Sequence, residues 1–101
     1  MIIRIVKMIF IEEEIDAFRK LFEERKALIR NFEGCTHLEL WQDKNHPATF
    51  FTYSWWDSEE HLNNYRDSDF FDETWKLTKE KFGGKPEAWT VNPLSQHPLS
   101  P

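Results

Sequence analysis

The chain of 101 residues is long enough for one hydrophobic core but not for two, and its 40% hydrophobic and 16% aromatic content is typical of a packed globular domain. A net charge of −5, with no block of basic residues, argues against a nucleic-acid-binding protein. The single cysteine, Cys35, excludes an intramolecular disulfide, and the sequence lacks a signal-peptide pattern or an apolar run of roughly 20 residues, so we expect a cytoplasmic protein without a membrane partner.

The first predicted elements are a strand and a long amphipathic helix. Residues 2–10 are rich in β-branched side chains and alternate with the period of a strand. One face of this strand carries Ile3, Ile5, Lys7 and Ile9. Residues 12–31 place apolar side chains at helical spacing, with acidic residues leading and basic residues following, which suits the helix dipole. Gly34 is the expected stop signal.

Two further strands are predicted at residues 35–42 and 49–56, joined by a hairpin loop. The strand at residues 49–56 carries aromatic rings on both of its faces. One face carries Phe50, Thr52, Ser54 and Trp56, and the other carries Phe51, Tyr53 and Trp55. A strand with one wet face would show polar residues there. We therefore expect the chain's own helices to cover one face and a second copy of the protein to cover the other.

The next segments are predicted to be helices. Residues 57–66 read as a short helix, in which Asp57 and Glu60 would form a capping box. Ser68 is predicted to cap a following helix that runs through Phe82. The two glycines after Phe82 would end that helix.

A final strand and a tail complete the chain. Residues 86–92 are predicted to form the fourth strand, so that residues 1–92 make the domain. The proline-rich residues 93–101 would be a flexible or partner-strapping tail. The resulting β-α-β-β-α-β order predicts an α+β, ferredoxin-like fold with a four-stranded antiparallel sheet and helices on one face. The bare second face favours a symmetric homodimer.

Three potential metal ligands occur together in the second strand, where Cys35, His37 and Glu39 alternate onto one predicted face. Alternate strand residues lie roughly 6–7 Å apart, so three in a row seldom converge on one ion. We therefore predict no metal site. His37 is instead expected to form a hydrogen bond at a subunit interface, with Glu39 as the candidate partner.

Several segments of the chain resemble the antibiotic biosynthesis monooxygenase (ABM) family of dimeric α+β barrels. They are Asn31-Phe32-Glu33-Gly34, Ser54-Trp55-Trp56-Asp57-Ser58-Glu59-Glu60, Leu62-Asn63-Asn64-Tyr65 and Ser68-Asp69-Phe70-Phe71. The resemblance extends over residues 2–91. The family includes quinol and anthrone oxygenases that need no metal or flavin, haem-degrading enzymes, and members without an established substrate.

The family's haem degraders resemble one another in an Asn on the first strand, a Trp at the end of the short helix and a His in the next helix. Those positions fall at Lys7, Tyr65 and Trp75, and none matches. A His that is common elsewhere in the family also falls at Tyr65, and a usual acidic residue falls at Ser54. The resemblance therefore does not imply haem degradation for this chain.

The resemblance implies a monooxygenase that needs no cofactor and oxidises a small quinol- or anthrone-like substrate with O₂. The candidate catalytic residues are Lys7, Tyr65 and Trp75. If the face of Lys7 meets the helices, its ammonium would favour a bound phenolate. Tyr65 would offer a hydroxyl and Trp75 an indole N–H, while Trp56 and Phe71 would form the wall of the substrate site.

Each candidate also has a structural interpretation. Trp75 has the helical spacing of a core residue, and Lys7 could extend past the strand end into solvent. Because the family's His and acidic positions are replaced, the alternative function is a non-catalytic dimeric module that binds a small aromatic ligand or serves a stress response.

Overall fold

The structure is a computed structural model that describes residues 1–95; the tail's residues 96–101 lie outside the described part. The elements in chain order are β1 (Ile2–Ile9), a 3₁₀ turn (Glu12–Glu14), α1 (Ile15–Arg30), β2 (Cys35–Gln42), β3 (Thr49–Trp56), α2 (Glu59–Arg66), α3 (Asp69–Lys79) and β4 (Glu87–Val91). The division at residue 92 and the role of the tail stay predictions.

The four strands form one sheet in the order β2-β3-β1-β4, and every neighbouring pair is antiparallel. The three helices pack against one face of this sheet through two clusters of buried side chains. The α+β, ferredoxin-like fold predicted from the sequence is therefore confirmed. Among residues 1–95 no helix combines the length and apolarity needed to cross a bilayer.

The helices cover the face of β1 that carries Val6 and Met8. Met8 is 2% exposed and packs with Phe18 and Phe50, whereas Lys7 points to the opposite side, across from Phe51. The expectation that the face of Lys7 meets the helices is wrong. Both faces of β1 are rich in apolar residues, so alternation alone could not decide which one the helices cover.

A β-bulge separates Cys35 from the rest of β2. The register shifts between Cys35 and His37, and the two side chains consequently lie on different sides of the sheet. Cys35 is buried under the helices beside Trp56, where burial raises the pKa of its thiol. The prediction that Cys35 shares a face with His37 and Glu39 is therefore wrong.

His37 and Glu39 do contact one another, as the sequence predicted. The His37 ring donates through Nε2 to Oε2 of Glu39, and Trp41 Nε1 donates to Oε1 of the same carboxylate at 2.8 Å. These two hydrogen bonds, with that from His37 the larger cause, lower the pKa of Glu39. Within the described residues no group of three His, Cys, Asp or Glu side chains is arranged to hold a metal ion.

The face of the sheet away from the helices is called the open sheet face. It carries Ile3, Ile5, Lys7, Ile9, His37, Glu39, Trp41, Phe51, Tyr53, Trp55, Glu87, Trp89 and Val91. Trp41 stacks on Tyr53 with ring centroids 4.5 Å apart and remains 40% exposed. Trp89 is 43% exposed. The prediction of aromatic rings on both faces of β3 is confirmed, and the buried residues packed with the helices lie on the other face.

The start of α2 differs from the prediction. Its N-cap is Ser58, whose hydroxyl accepts a hydrogen bond from the His61 backbone N–H at 3.2 Å. The predicted capping box of Asp57 and Glu60 is therefore wrong. Asp57 instead continues from β3, with its backbone N–H bonded to the carbonyl of Gly34.

The predicted cap of α3 is confirmed, since the Ser68 hydroxyl accepts from the backbone N–H of Phe71 at 3.1 Å. The helix ends at Lys79, before the predicted Phe82. Phe82 forms an isolated bridge with Phe10, and their rings lie 5.4 Å apart. This tertiary contact takes Phe82 out of the helix.

Gly34 marks the turn from α1 into β2, as predicted, and is the described residue with a left-handed backbone, at φ +88°. A Cβ at this position would overlap the side chain of His61. Gly34→Ala should therefore lower the free energy of unfolding by about 2–4 kcal/mol, combining backbone strain with a steric clash. Urea denaturation measures this change.

The matched control is Gly84→Ala. Gly84 has no positive φ, and an added Cβ would lie 3.2 Å from the nearest atom, the Cβ of Ile9. This substitution should cost less than about 1 kcal/mol, because Ile9 has to shift by only a few tenths of an ångström. Equal losses at the two glycines would contradict the argument.

Candidate functional site

A cavity of about 260 Å³ lies between the sheet and the helices. Its floor comes from the helix-covered face of the sheet and includes Val6, Met8, Thr52, Ser54 and Trp56. Its roof comes from the three helices and includes Phe18, Phe22, Tyr65, Phe71 and Trp75. The lining is mostly apolar and aromatic, which is typical of a site for a small organic ligand.

One wall of the cavity is a continuous series of aromatic rings. Trp56 stacks on Tyr65 with centroids 4.9 Å apart, and Tyr65 meets Phe71 edge-on at 5.1 Å. Phe71 and Trp75 then lie nearly parallel, at 6.1 Å. The structure thus brings together four of the five predicted site residues. They come from the end of β3, the last turn of α2 and one face of α3.

Tyr65 contributes a buried hydroxyl group to this wall. Its side chain is 9% exposed, and burial, with a smaller contribution from Cys35, raises its pKa. No hydrogen bond to a described residue contributes to that shift. The phenol is therefore neutral at physiological pH, with its O–H available to a ligand in the cavity.

The part of the floor formed by Ser54 and Trp56 contains polar groups but no carboxylate. Trp56 Nε1 donates to the Ser54 hydroxyl at 3.0 Å, and both residues are buried. Ser54 is the position at which the family resemblance places an acidic residue. Here the buried indole N–H is satisfied without a carboxylate, so this position holds no negative charge.

Trp75 packs in the core and also lines the cavity. It packs edge-on against Phe82 at 5.5 Å and contacts the core cluster of Phe10 and Phe18. It also lines the cavity and is half-buried rather than fully enclosed. Packing in the core therefore fixes a ring that forms part of the cavity wall.

Lys7 does not lie with the other predicted site residues. It lines the open sheet face, whereas Val6 and Met8 on either side of it line the cavity. The sheet itself separates its ammonium from the cavity. The expected cation next to the aromatic cleft is therefore not supplied by Lys7.

Two arginines, which the sequence reasoning missed, provide the cations at the cavity. Arg4 and Arg66 both line it, from β1 and from the last residue of α2. Arg4 donates through Nη1 to the Thr90 hydroxyl at 2.9 Å. Burial and then the charge of Arg66 lower the pKa of Arg4. The available sequence signal was that Arg4 shares a strand face with Val6 and Met8.

The mouth of the cavity lies beside β4. Every residue of this edge strand is exposed, and Pro86, Glu87 and Ala88 line the cavity next to Arg4. Glu87 pairs with Lys7 of β1, a register that places it on the open sheet face, and it is also the carboxylate residue in the described cavity lining. The rim therefore carries Arg4, Arg66 and Glu87.

Comparison with known proteins identifies the family. The sequence profile described as Antibiotic biosynthesis monooxygenase matches residues 1–76. A search of curated protein sequences gave no significant match.

Solved structures share the fold at low sequence identity. A crystal structure of an antibiotic biosynthesis monooxygenase superposes with a TM-score of 0.87 at 18% identity, covering 94% of this chain and 100% of that one. A conserved protein from Methanosarcina mazei Go1 gives 0.83 at 24% identity, covering 89% and 90%. Rv0793 from Mycobacterium tuberculosis gives 0.85 at 16% identity, covering 94% and 96%. With the profile match over three quarters of its length, the chain belongs to the antibiotic biosynthesis monooxygenase family.

Proposed function

We propose that the protein is a monooxygenase that needs no cofactor and oxidises a small aromatic hydroquinone- or anthrone-like substrate with O₂. The observation that carries this proposal is the aromatic-walled cavity with the neutral hydroxyl of Tyr65 in its wall. Membership of the family supports the reaction class. The aromatic lining supports the substrate class, because flat rings pack well against flat rings.

In this reaction the substrate is the only reductant. An anthrone loses a proton to solvent water at the cavity mouth and becomes an electron-rich anion, which transfers an electron to O₂. The resulting radical pair combines into a C–O bond, and cleavage of the O–O bond then gives a ketone and water. Oxidation of the CH₂ group to C=O supplies four electrons, which balances the reduction of O₂ to one carbonyl oxygen and one water molecule.

The chain's part in the reaction is to bind the rings, exclude water and stabilise the anion. Trp56, Phe71 and Trp75 would hold the planar substrate. Tyr65 would donate its O–H to the substrate oxygen on which negative charge develops. Its raised pKa makes it a hydrogen-bond donor and not a base. Positive charge from Arg4 and Arg66 would favour the same anion.

The active form is proposed to be a homodimer joined through the open sheet face. Proteins of this family are generally dimeric. The exposed rings of Trp41 and Trp89 support the proposal, because an apolar patch of this kind on a soluble protein marks an interaction site. The cytoplasmic location expected from the sequence stays a prediction.

Oxygen uptake tests the proposed activity. The purified, metal-chelated protein should consume O₂ with members of a panel of hydroquinones and anthrones, and mass spectrometry should find one atom of ¹⁸O₂ in the product. The matched control is the dimethyl ether of each hydroquinone, which cannot form the anion and should not react. An absence of turnover with every compound in the panel would contradict the proposal.

A second candidate is a non-catalytic module that binds a small aromatic ligand. One observation favours it: among the described residues that line the cavity there is no histidine, and the carboxylate present is Glu87 at the rim. A group to accept the substrate proton is therefore missing from the interior. Thermal stabilisation by the same compounds without O₂ uptake would select this function.

A further inference from the structure

We propose that the ligand of this cavity is an aromatic carboxylate, and that Arg4 and Arg66 form the subsite for its carboxylate group at the mouth. The inference extends the proposed function by naming a substituent that the substrate must carry. It concerns binding alone, so it can be tested without any oxidation taking place.

The position of Arg4 is the first observation. Arg4 lies on the cavity floor, in the same row of β1 as Val6 and Met8, and is only partly exposed. Its hydrogen bond to Thr90 on the neighbouring edge strand, at 2.9 Å, holds the guanidinium at the mouth. A guanidinium has five N–H donors, so this bond leaves several for a ligand.

The second observation is the lack of a carboxylate partner for either arginine. Within residues 1–95 the ion pairs of Arg and Lys side chains are Arg25 with Glu73 and Lys26 with Glu23. Among these described residues neither Arg4 nor Arg66 has an acidic partner, although the protein carries more acidic than basic residues. Glu87 is the carboxylate residue in the described cavity lining and forms no ion pair with either arginine, so both guanidiniums are open to an anion from outside.

The third observation is that the two cations line the same cavity and therefore repel one another. The charge of Arg66 is one of the causes that lower the pKa of Arg4, after burial. Each guanidinium therefore raises the free energy of the other while the cavity is empty. A carboxylate between them would remove this repulsion, and the guanidinium fork matches carboxylate geometry.

The arrangement also determines the orientation of the ligand in the cavity. The apolar wall of Trp56, Phe71 and Trp75 lies inside, whereas the arginines lie at the rim beside β4. A ligand with rings at one end and a carboxylate at the other would match both regions. Its negative group would stay at the mouth, where some hydration is retained, and this avoids the cost of burying a charge fully.

Isothermal titration calorimetry with two probes tests the inference. 2-Naphthoate carries the carboxylate, and methyl 2-naphthoate has the same rings without the charge. The protein should bind naphthoate more tightly than the ester. Arg4→Gln and Arg66→Gln should each raise the dissociation constant of naphthoate roughly tenfold. The dissociation constant of the ester should change less than about twofold.

Arg19→Gln is the matched control, because Arg19 is an exposed residue of α1 that does not line the cavity. It should leave both dissociation constants unchanged. Raising the NaCl concentration should weaken naphthoate binding and not ester binding. Circular dichroism of each variant checks that the fold is retained.

Equal affinity for the two probes, an unchanged preference in both arginine variants, or no binding of either probe would overturn the inference. These outcomes are separable from failure of the proposed function. Naphthoate binding through both arginines, with no O₂ uptake on any phenolic compound, would support the carboxylate subsite and reject the oxygenase. Turnover restricted to uncharged hydroquinones would support the oxygenase and reject the carboxylate subsite.

Discussion

Tyr65→Phe should lower kcat for anthrone or hydroquinone oxidation by about a hundredfold, the typical effect of losing one donor to a developing oxyanion. The hydroxyl has no hydrogen bond to a described residue, so its removal leaves no partner unsatisfied. The ring contacts with Trp56 and Phe32 persist in the variant. The melting temperature should therefore change little, and KM should change much less than kcat. Steady-state O₂ uptake and thermal unfolding measure these quantities.

The chain offers a matched control for this substitution. Its other tyrosine, Tyr53, lies on the open sheet face, on the opposite side of β3 from the cavity. Tyr53→Phe removes the same atom and should leave kcat unchanged. If Tyr65→Phe retains wild-type kcat, the hydroxyl does not stabilise the anion. If both variants lose activity equally, the effect comes from the fold and not from the cavity.

The sheet could be predicted from the sequence because its pattern is strong. The predicted bounds of β2 and β3 coincide with the observed Cys35–Gln42 and Thr49–Trp56. Residue alternation in β3 also gave the correct two faces, since Ser54 and Trp56 are buried under the helices. The ends of these strands are determined by residues that are close together in the sequence, through local composition and turns, and can therefore be predicted from it.

The errors occurred where a local pattern admits two answers. Alternation shows that Lys7 and Met8 lie on opposite faces of β1 but not which face the helices cover. The bulge that moves Cys35 away from His37 adds one residue to one strand, and nothing in the local composition marks it. Asp57 and Ser58 are both good N-cap residues, and the backbone between β3 and α2 selects Ser58.

Some residues of the candidate site could be predicted from the sequence and others could not. Trp56, Tyr65, Phe71 and Trp75 could be named because large aromatic residues near element ends are visible in the sequence. Arg4 and Arg66 could not, because their proximity depends on how α2 packs over β1. In the sequence Arg4 is one of two charged residues in an otherwise apolar strand, and Arg66 is an ordinary charged residue at a helix end. Only the fold shows that they share a cavity mouth.

The double substitution Trp41→Lys and Trp89→Lys should convert the proposed dimer into a monomer. Both rings are exposed on the open sheet face, at 40% and 43%. Because a two-fold symmetric interface contains each residue twice, the double substitution removes four aromatic rings from the interface of each dimer. Full burial of an aromatic side chain is worth about 1.5–3 kcal/mol, and only about 40% of each ring is left to bury, so the dissociation constant should rise roughly a hundredfold to a few thousandfold. Sedimentation velocity over a range of concentrations measures it.

Leu28→Lys provides the control for this experiment. Leu28 is an apolar residue of α1 that is 58% exposed on the helical side of the sheet. Replacing an exposed apolar residue with lysine there should leave the dimer intact, because Leu28 lies away from the proposed interface. A wild-type protein that sediments as a monomer at working concentration would contradict the proposed assembly, as would equal dissociation of both variants. Because the cavity lies on the other side of β1 and β3, naphthoate binding by the monomeric variant would then show that each protomer contains a complete site.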